Sequence, residues 1–136
     1  PLRGEIEFSG VTIEYPAGKA LDHVNLRIPG GSTVAIVGHT GSGKTTLLNL
    51  IPRLLDPSSG RVAIDGIDLR DLPVEDLRRQ IGFVPQETFL FSATVGENIA
   101  FAVPDATDEE VRRAAEIAGL GPDLNDFPNG LSTIVG

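Results

Sequence analysis

Gly38-His39-Thr40-Gly41-Ser42-Gly43-Lys44-Thr45 fits the pattern G-x-x-x-x-G-K-[ST], and these residue types at this spacing suit the holding of phosphate groups. A triphosphate packs several negative charges into a small volume, and its site must replace their water. Glycines at 38, 41 and 43 open backbone angles closed to other residues, so successive N–H groups can turn inward as an anion-binding nest. A helix beginning near Gly43 adds unpaired N–H groups and the positive end of its dipole. Lys44 supplies a mobile point charge for the β- and γ-phosphates, and Thr45 a hydroxyl for Mg²⁺, which takes few protein ligands. Thr46 lies near the α-phosphate or serves only to start the helix. His39 reads as an exposed loop residue with no catalytic part.

The flanking elements must present that loop. Thr33-Val34-Ala35-Ile36-Val37 is apolar and rich in β-branched residues, which predicts a buried strand leading into it. Thr46-Leu47-Leu48-Asn49-Leu50-Ile51 continues as a helix out of it, to be ended or kinked by Pro52. Upstream, the alternation of Glu5-Ile6-Glu7-Phe8 and of Val11-Thr12-Ile13-Glu14-Tyr15 predicts two half-buried antiparallel strands. Pro16 to Lys19 reads as a turn, Ala20 to Ile28 as a further strand, and Pro29-Gly30-Gly31 as its break.

Downstream, Pro57 to Gly60 is a loop, Arg61 to Ile64 a short strand, and Asp65-Gly66 a tight turn. Pro73 suits the first turn of a short helix through Gln80, with acids early and arginines late. Ile81-Gly82-Phe83-Val84 predicts a core strand, and Pro85 to Thr88 a loop. Thr94 to Phe101 predicts a short helix. Thr107 through Glu110 makes a capping box before a helix over Val111 to Ala118. The remainder, rich in Gly, Pro, Asn and Asp, reads as loop.

Composition narrows the function classes. The chain has 136 residues, enough for one domain with a core, and a formal net charge of −8. Its basic residues form no dense cluster, which disfavours nucleic acid as a main partner. No cysteine is present, so there is no disulfide framework and no thiolate metal site, which suits a reducing compartment. No apolar run reaches the length of a membrane span and no signal peptide is visible. Methionine is also absent and residue 1 is proline, so the chain is expected to be processed or cut from something longer.

Set beside the phosphate loop, further residues give the chain the look of a known family. Tyr15 precedes the loop in the register of an adenine-stacking aromatic. Gln86 follows an apolar run, as a Q-loop glutamine would. Glu87-Thr88-Phe89-Leu90-Phe91-Ser92-Ala93-Thr94-Val95-Gly96-Glu97-Asn98-Ile99-Ala100 and Phe127 to Gly136 continue the pattern. Together these resemble the nucleotide-binding domain of an ATP-binding cassette (ABC) transporter of the exporter type, over essentially the whole chain.

The resemblance implies an α/β fold: a P-loop NTPase (RecA-like) core with an N-terminal antiparallel β-subdomain. About 1–32 would belong to that β-subdomain, 33–84 to the P-loop core, and 85–136 to the Q-loop and the start of the helical subdomain. It implies ATP and Mg²⁺ as ligands. The nucleotide-binding residues would be Tyr15, Gly38, His39, Thr40, Gly41, Ser42, Gly43, Lys44, Thr45, Thr46 and Gln86. Thr45 and Gln86 would serve Mg²⁺, and Gln86 and Lys44 the hydrolytic step. Implied partners are a transmembrane domain of the same or another chain and a second nucleotide-binding domain, with the whole on the cytoplasmic side of a cell membrane. The Phe89-Leu90-Phe91 run would face the transmembrane domain.

The same resemblance makes some elements conspicuous. No apolar run ending in two acids and no Ser-Gly-Gly-Gln occurs, so the chain is expected to stop before the signature motif and the Walker B strand. It would then bind ATP without hydrolysing it, and would leave the edge of the P-loop strand open. Alternatives at this point are a soluble ABC ATPase outside transport and a degenerate, non-hydrolysing half of a heterodimer. A guanine-reading Asn-Lys-x-Asp is absent, which disfavours a GTPase.

Overall fold

A computed structural model describes residues 3–136. They form two compact units, one reaching to Val84 and one from Pro85 to Gly136.

The first unit is built on an antiparallel sheet. β1 (Ile6–Tyr15) and β2 (Gly18–Ile28) form a hairpin in which Tyr15 pairs with Gly18 across the Pro16-Ala17 turn. β3 (Ser59–Ile64) pairs with the other edge of β1, and β4 (Ile67–Asp68) pairs with β3, giving the order β2-β1-β3-β4. The two strands expected at 5–8 and 11–15 are therefore one. A register shift between Phe8 and Val11, with Gly10 at φ 58°, bends β1. Beyond the bulge Val11, Thr12 and Ile13 are all buried, where strict alternation would expose one of them. The buried Thr12 hydroxyl accepts the His23 N–H at 3.1 Å, which satisfies it. The Asp65-Gly66 turn between β3 and β4 has positive φ at both residues, as a type I′ turn requires.

Two helices cover the sheet: α1 (Lys44–Leu50) and α2 (Val74–Arg79). Their Leu47, Leu50 and Leu77 pack with Phe8, Val11, Ile13, Leu21, Val62, Ile64 and Leu69 in one core. Each such side chain contributes roughly 1.5–3 kcal/mol on burial. α1 stops before the buried Pro52, and the Arg78 guanidinium donates to the carbonyls of Pro52 and Arg53, both at 2.8 Å. Arg78 thus ties α2 to the turn that follows α1, while the carbonyls of Leu48, Asn49 and Leu50 accept from the N–H groups of Ile51, Leu54 and Arg53.

Two expectations are corrected here. Neither Thr33–Val37 nor Ile81–Val84 forms a strand, and Val37 and Val84 are 88% and 90% exposed. A buried parallel strand takes its hydrogen bonds from neighbours on both edges and its burial from layers on both faces. Among the described residues no strand pairs with either segment. Only Ile36 and Ile81 pack against the core.

The second unit holds β5 (Ala93–Thr94), α3 (Val95–Ala100) and α4 (Asp108–Ile117). Thr94 with Glu97, and Thr107 with Glu110, close complete capping boxes, so both helix starts lie where the sequence puts them. The tail expected to be loop is instead α5 (Gly121–Asp126), a 3₁₀ turn at Gly130–Ser132, and β6 (Ile134–Val135). Pro122 pre-sets the helical φ in the first turn of α5, and β6 gains its bonds from β5 through Ala93↔Val135 and Thr94↔Ile134. A two-residue ladder leaves no periodicity in the sequence.

Candidate functional site

The glycine loop is shaped by where its backbone must go. Gly43, at the N-cap of α1, has φ 89°, and a Cβ there would lie 2.5 Å from the Ala20 carbonyl oxygen and 2.9 Å from Leu21. Only glycine takes that conformation while pressed against β2. Gly41 also has positive φ, 79°, with open space around it. Gly38 does not. A Cβ there would come within 2.6 Å of the Ser42 hydroxyl, a side-chain end that can turn aside. The expectation of unusual backbone angles thus holds at 41 and 43 and fails at 38.

Lys44 folds back over the loop. Its ammonium donates to the carbonyls of Gly38 and His39, each at 2.8 Å, and to the Ser42 hydroxyl at 3.4 Å. The Ser42 N–H donates to the His39 carbonyl at 3.2 Å, closing the turn. The first backbone acceptor of α1 is Gly43, taken by the Leu47 N–H at 2.8 Å, so the N–H groups of residues 44–46 have no partner within the helix. His39, Thr40 and Thr45 are exposed; Thr46 is half-buried.

A cavity of about 180 Å³ lies against this loop, lined by Ala20, Gly41, Ser42, Gly43, Lys44, Thr45 and Thr46. The lining holds an ammonium, three hydroxyls and backbone amides, and no carboxylate. That donor set fits an anion of phosphate size. Ala20 is the residue that sequence reading missed. It lines the cavity through a contact between a strand and a loop far apart in the chain, for which a lone alanine carries no signal.

Tyr15 is 49% exposed at the end of β1. Its partner Gly18 lies two residues from Ala20, so the hairpin end carrying the ring is the end that meets the loop. Gln86 is exposed in the bend that opens the second unit. The structure brings together residues 38–46 and the Tyr15 end of the hairpin within one unit, while Gln86 belongs to the other.

In the second unit Phe89, Leu90 and Phe91 are exposed, Phe89 at 77%. Phe91 meets Phe89 edge-on at 5.0 Å and stacks on Phe101 at 4.2 Å between ring centres. Such a surface run of aromatic rings beside an apolar cavity is suited to a partner.

A family model described as ABC transporter matches residues 21–133. The chain belongs to the ABC transporter family. Its nucleotide-binding function follows from that membership, and its fold is the P-loop fold of the ABC ATPases with an antiparallel sheet at the N-terminus. The ATP-dependent lipid A-core flippase of Desulfotalea psychrophila is 46% identical over 100% of this chain and 24% of its own length. The putative multidrug export ATP-binding/permease protein YgaD of Bacillus subtilis is 48% identical over 99% of this chain and 24% of its own. A solved structure of a bacterial Atm1-family ABC exporter with ATP bound superposes with a TM-score of 0.92, at 37% identity, over 98% of this chain and 24% of that one. The chain therefore spans about a quarter of the length of these relatives, all of them exporters or flippases by name. No helix among the described residues is long and apolar enough to cross a membrane.

Proposed function

We propose that this chain is the ATP-binding part of the motor domain of an ABC exporter, in which ATP binding and hydrolysis drive transport across a membrane. The observation that carries the reading is the Lys44 ammonium held over a carboxylate-free loop whose next three N–H groups have no helical partner. In this reading Gly38 to Thr46 cradle the phosphates and Tyr15 stacks on adenine. Lys44 exchanges its loop carbonyls for the β- and γ-phosphates. Thr45 and Gln86 serve Mg²⁺, which neutralises phosphate charge when bound, and Gln86 orients the attacking water.

About 1–32, joined in one sheet by β3 and β4, form part of the β-subdomain, the rest of 33–84 part of the P-loop core, and 85–136 the Q-loop and the start of the helical subdomain. The motor sits on the cytoplasmic side of the cell membrane. It closes on a second nucleotide-binding domain, and Phe89 to Phe91 face the transmembrane domain. The exporter names of the relatives favour this over an ABC ATPase outside transport. The fraction of each relative covered, about a quarter, fits a part of one motor domain beside membrane-spanning sequence.

The test is Lys44→Ala in the full-length protein. Mg-ATP at saturating concentration raises the melting temperature of the wild type through mass action, and the substitution abolishes that rise. An unchanged rise refutes the assignment.

A further inference from the structure

Within the second unit, the aromatic run after Gln86 is fastened to α3 by a side-chain carboxamide. Asn98, half-buried in α3, accepts the Phe91 N–H on its Oδ1 at 2.8 Å. Its Nδ2 donates to the Phe91 carbonyl at 3.0 Å and to the Thr94 carbonyl at 2.9 Å. The amide thus copies the two-way bonding of a strand partner onto one residue of a loop, and uses both its donors in doing so. The Phe91 ring stacks on Phe101, the C-cap of α3, three residues on from Asn98. Backbone and ring of one loop residue are therefore both tied to the C-terminal half of one short helix.

Surroundings sharpen the point. Asn98 is the one polar side chain among those lining an apolar cavity of about 270 Å³, with Leu90, Val95 and Ile99 beside it. A carboxamide in an apolar lining is favourable only when its bonds are made. Gly136 lies against the same anchor: a Cβ there would come within 2.7 Å of the Phe91 carbonyl oxygen. The segment from Gln86 to Ser92 has neither helix nor strand of its own, so its far end is fixed at Phe91.

We propose that Asn98 is a positioning residue that sets the Phe89-Leu90-Phe91 run for its membrane partner and carries displacement of that run into α3. The proposal rests on the motor reading above. Asn98 is not among the residues lining the glycine-loop cavity; it acts through the Phe91 peptide.

The test uses the full-length protein in lipid nanodiscs, as wild type, Asn98→Ala, Asn98→Asp and Lys44→Ala. Hydrogen exchange at residues 86–94 and the kcat and KM for Mg-ATP are measured. Asn98→Ala frees the Phe91 amide, and its exchange accelerates about tenfold or more. KM stays within about twofold while kcat falls about fivefold or more, because the site is intact and its link to the membrane domain is not. Asn98→Asp keeps the side-chain volume but turns the Nδ2 donor into an oxygen facing two carbonyls, and gives the same split. Unchanged exchange overturns the proposal. So does raised exchange with unchanged kcat, or a rise in KM with a lowered melting temperature, which marks a merely structural role. Wild-type turnover that survives Lys44→Ala overturns the motor reading as well, and is read separately from the exchange.

Discussion

Gly43 and Gly41 share a left-handed backbone but differ in their surroundings, and that difference can be measured. At Gly41 an added Cβ meets open space, so Gly41→Ala costs only the conformational strain, about 1–2 kcal/mol. At Gly43 the same strain adds to a 2.5 Å approach to the Ala20 carbonyl, which is backbone and cannot swing aside. Gly43→Ala therefore destabilises by at least about 2–3 kcal/mol in urea unfolding and pushes the loop off β2. Equal losses at the two glycines would show that the approach to β2 is unimportant. Tyr15 offers a second contrast at this scale. If its ring lies on adenine, Tyr15→Ala weakens ATP about 2- to 10-fold, from about 0.5–1.5 kcal/mol of ring stacking, and leaves inorganic triphosphate almost unaffected. Equal weakening of both ligands in calorimetric titration rejects the stacking role.

At the scale of elements, β4 and the 3₁₀ turn after it are held by a forked pair. Arg70 donates from Nε to Asp68 Oδ1 at 3.0 Å and from Nη2 to Oδ2 at 2.7 Å, and its own N–H reaches Oδ1 at 2.9 Å. These bonds, the guanidinium first, hold the Asp68 carboxyl down at about 2. A carboxylate depressed in the folded state stabilises it above the unfolded value near 3.9, and the stabilisation is lost as pH falls towards 2. Asp68→Asn accordingly lowers the unfolding free energy at pH 7 by about 1–2 kcal/mol, discounted because Arg70 is half exposed. The deficit against wild type closes between about pH 4 and pH 2. A deficit unchanged at pH 2 in denaturant titrations would contradict the pairing. The elements most legible in the sequence were those with local causes: the Thr107–Glu110 capping box, the short helix after Thr94, the Asp65-Gly66 turn, and the end of α1 at Pro52. Thr33–Val37 and Ile81–Val84 were misread as strands, because apolar β-branched runs announce what a segment is suited to, while a strand also needs a neighbour. α5 was missed because its Gly, Pro, Asn and Asp content reads as loop, and β6 because a two-residue strand owes its existence to bonds supplied by β5.

For the molecule as a whole, the donors gathered at one cavity are suited to holding a phosphate, and no carboxylate stands in its lining to act on it. Donors converge at residues 38–46, yet the sequence holds no apolar run ending in paired acids to supply a general base. The 136-residue chain by itself is therefore expected to bind Mg-ATP without steady release of phosphate, assayed with a phosphate sensor over hours. Sustained release that Lys44→Ala abolishes would refute this.

By itself, the sequence determined the phosphate loop, the order in which helix follows it, and the family, because those depend on residue types at fixed short spacings. Tertiary structure alone decided that Gly43 must be small against Ala20, that β3 and β4 join the N-terminal hairpin in one sheet, and that Asn98 grips Phe91. The first, and the pairing of β3 with β1, join segments distant in the chain, and the Asn98 grip depends on how a loop folds back on the helix after it, so packing geometry and no local pattern sets them.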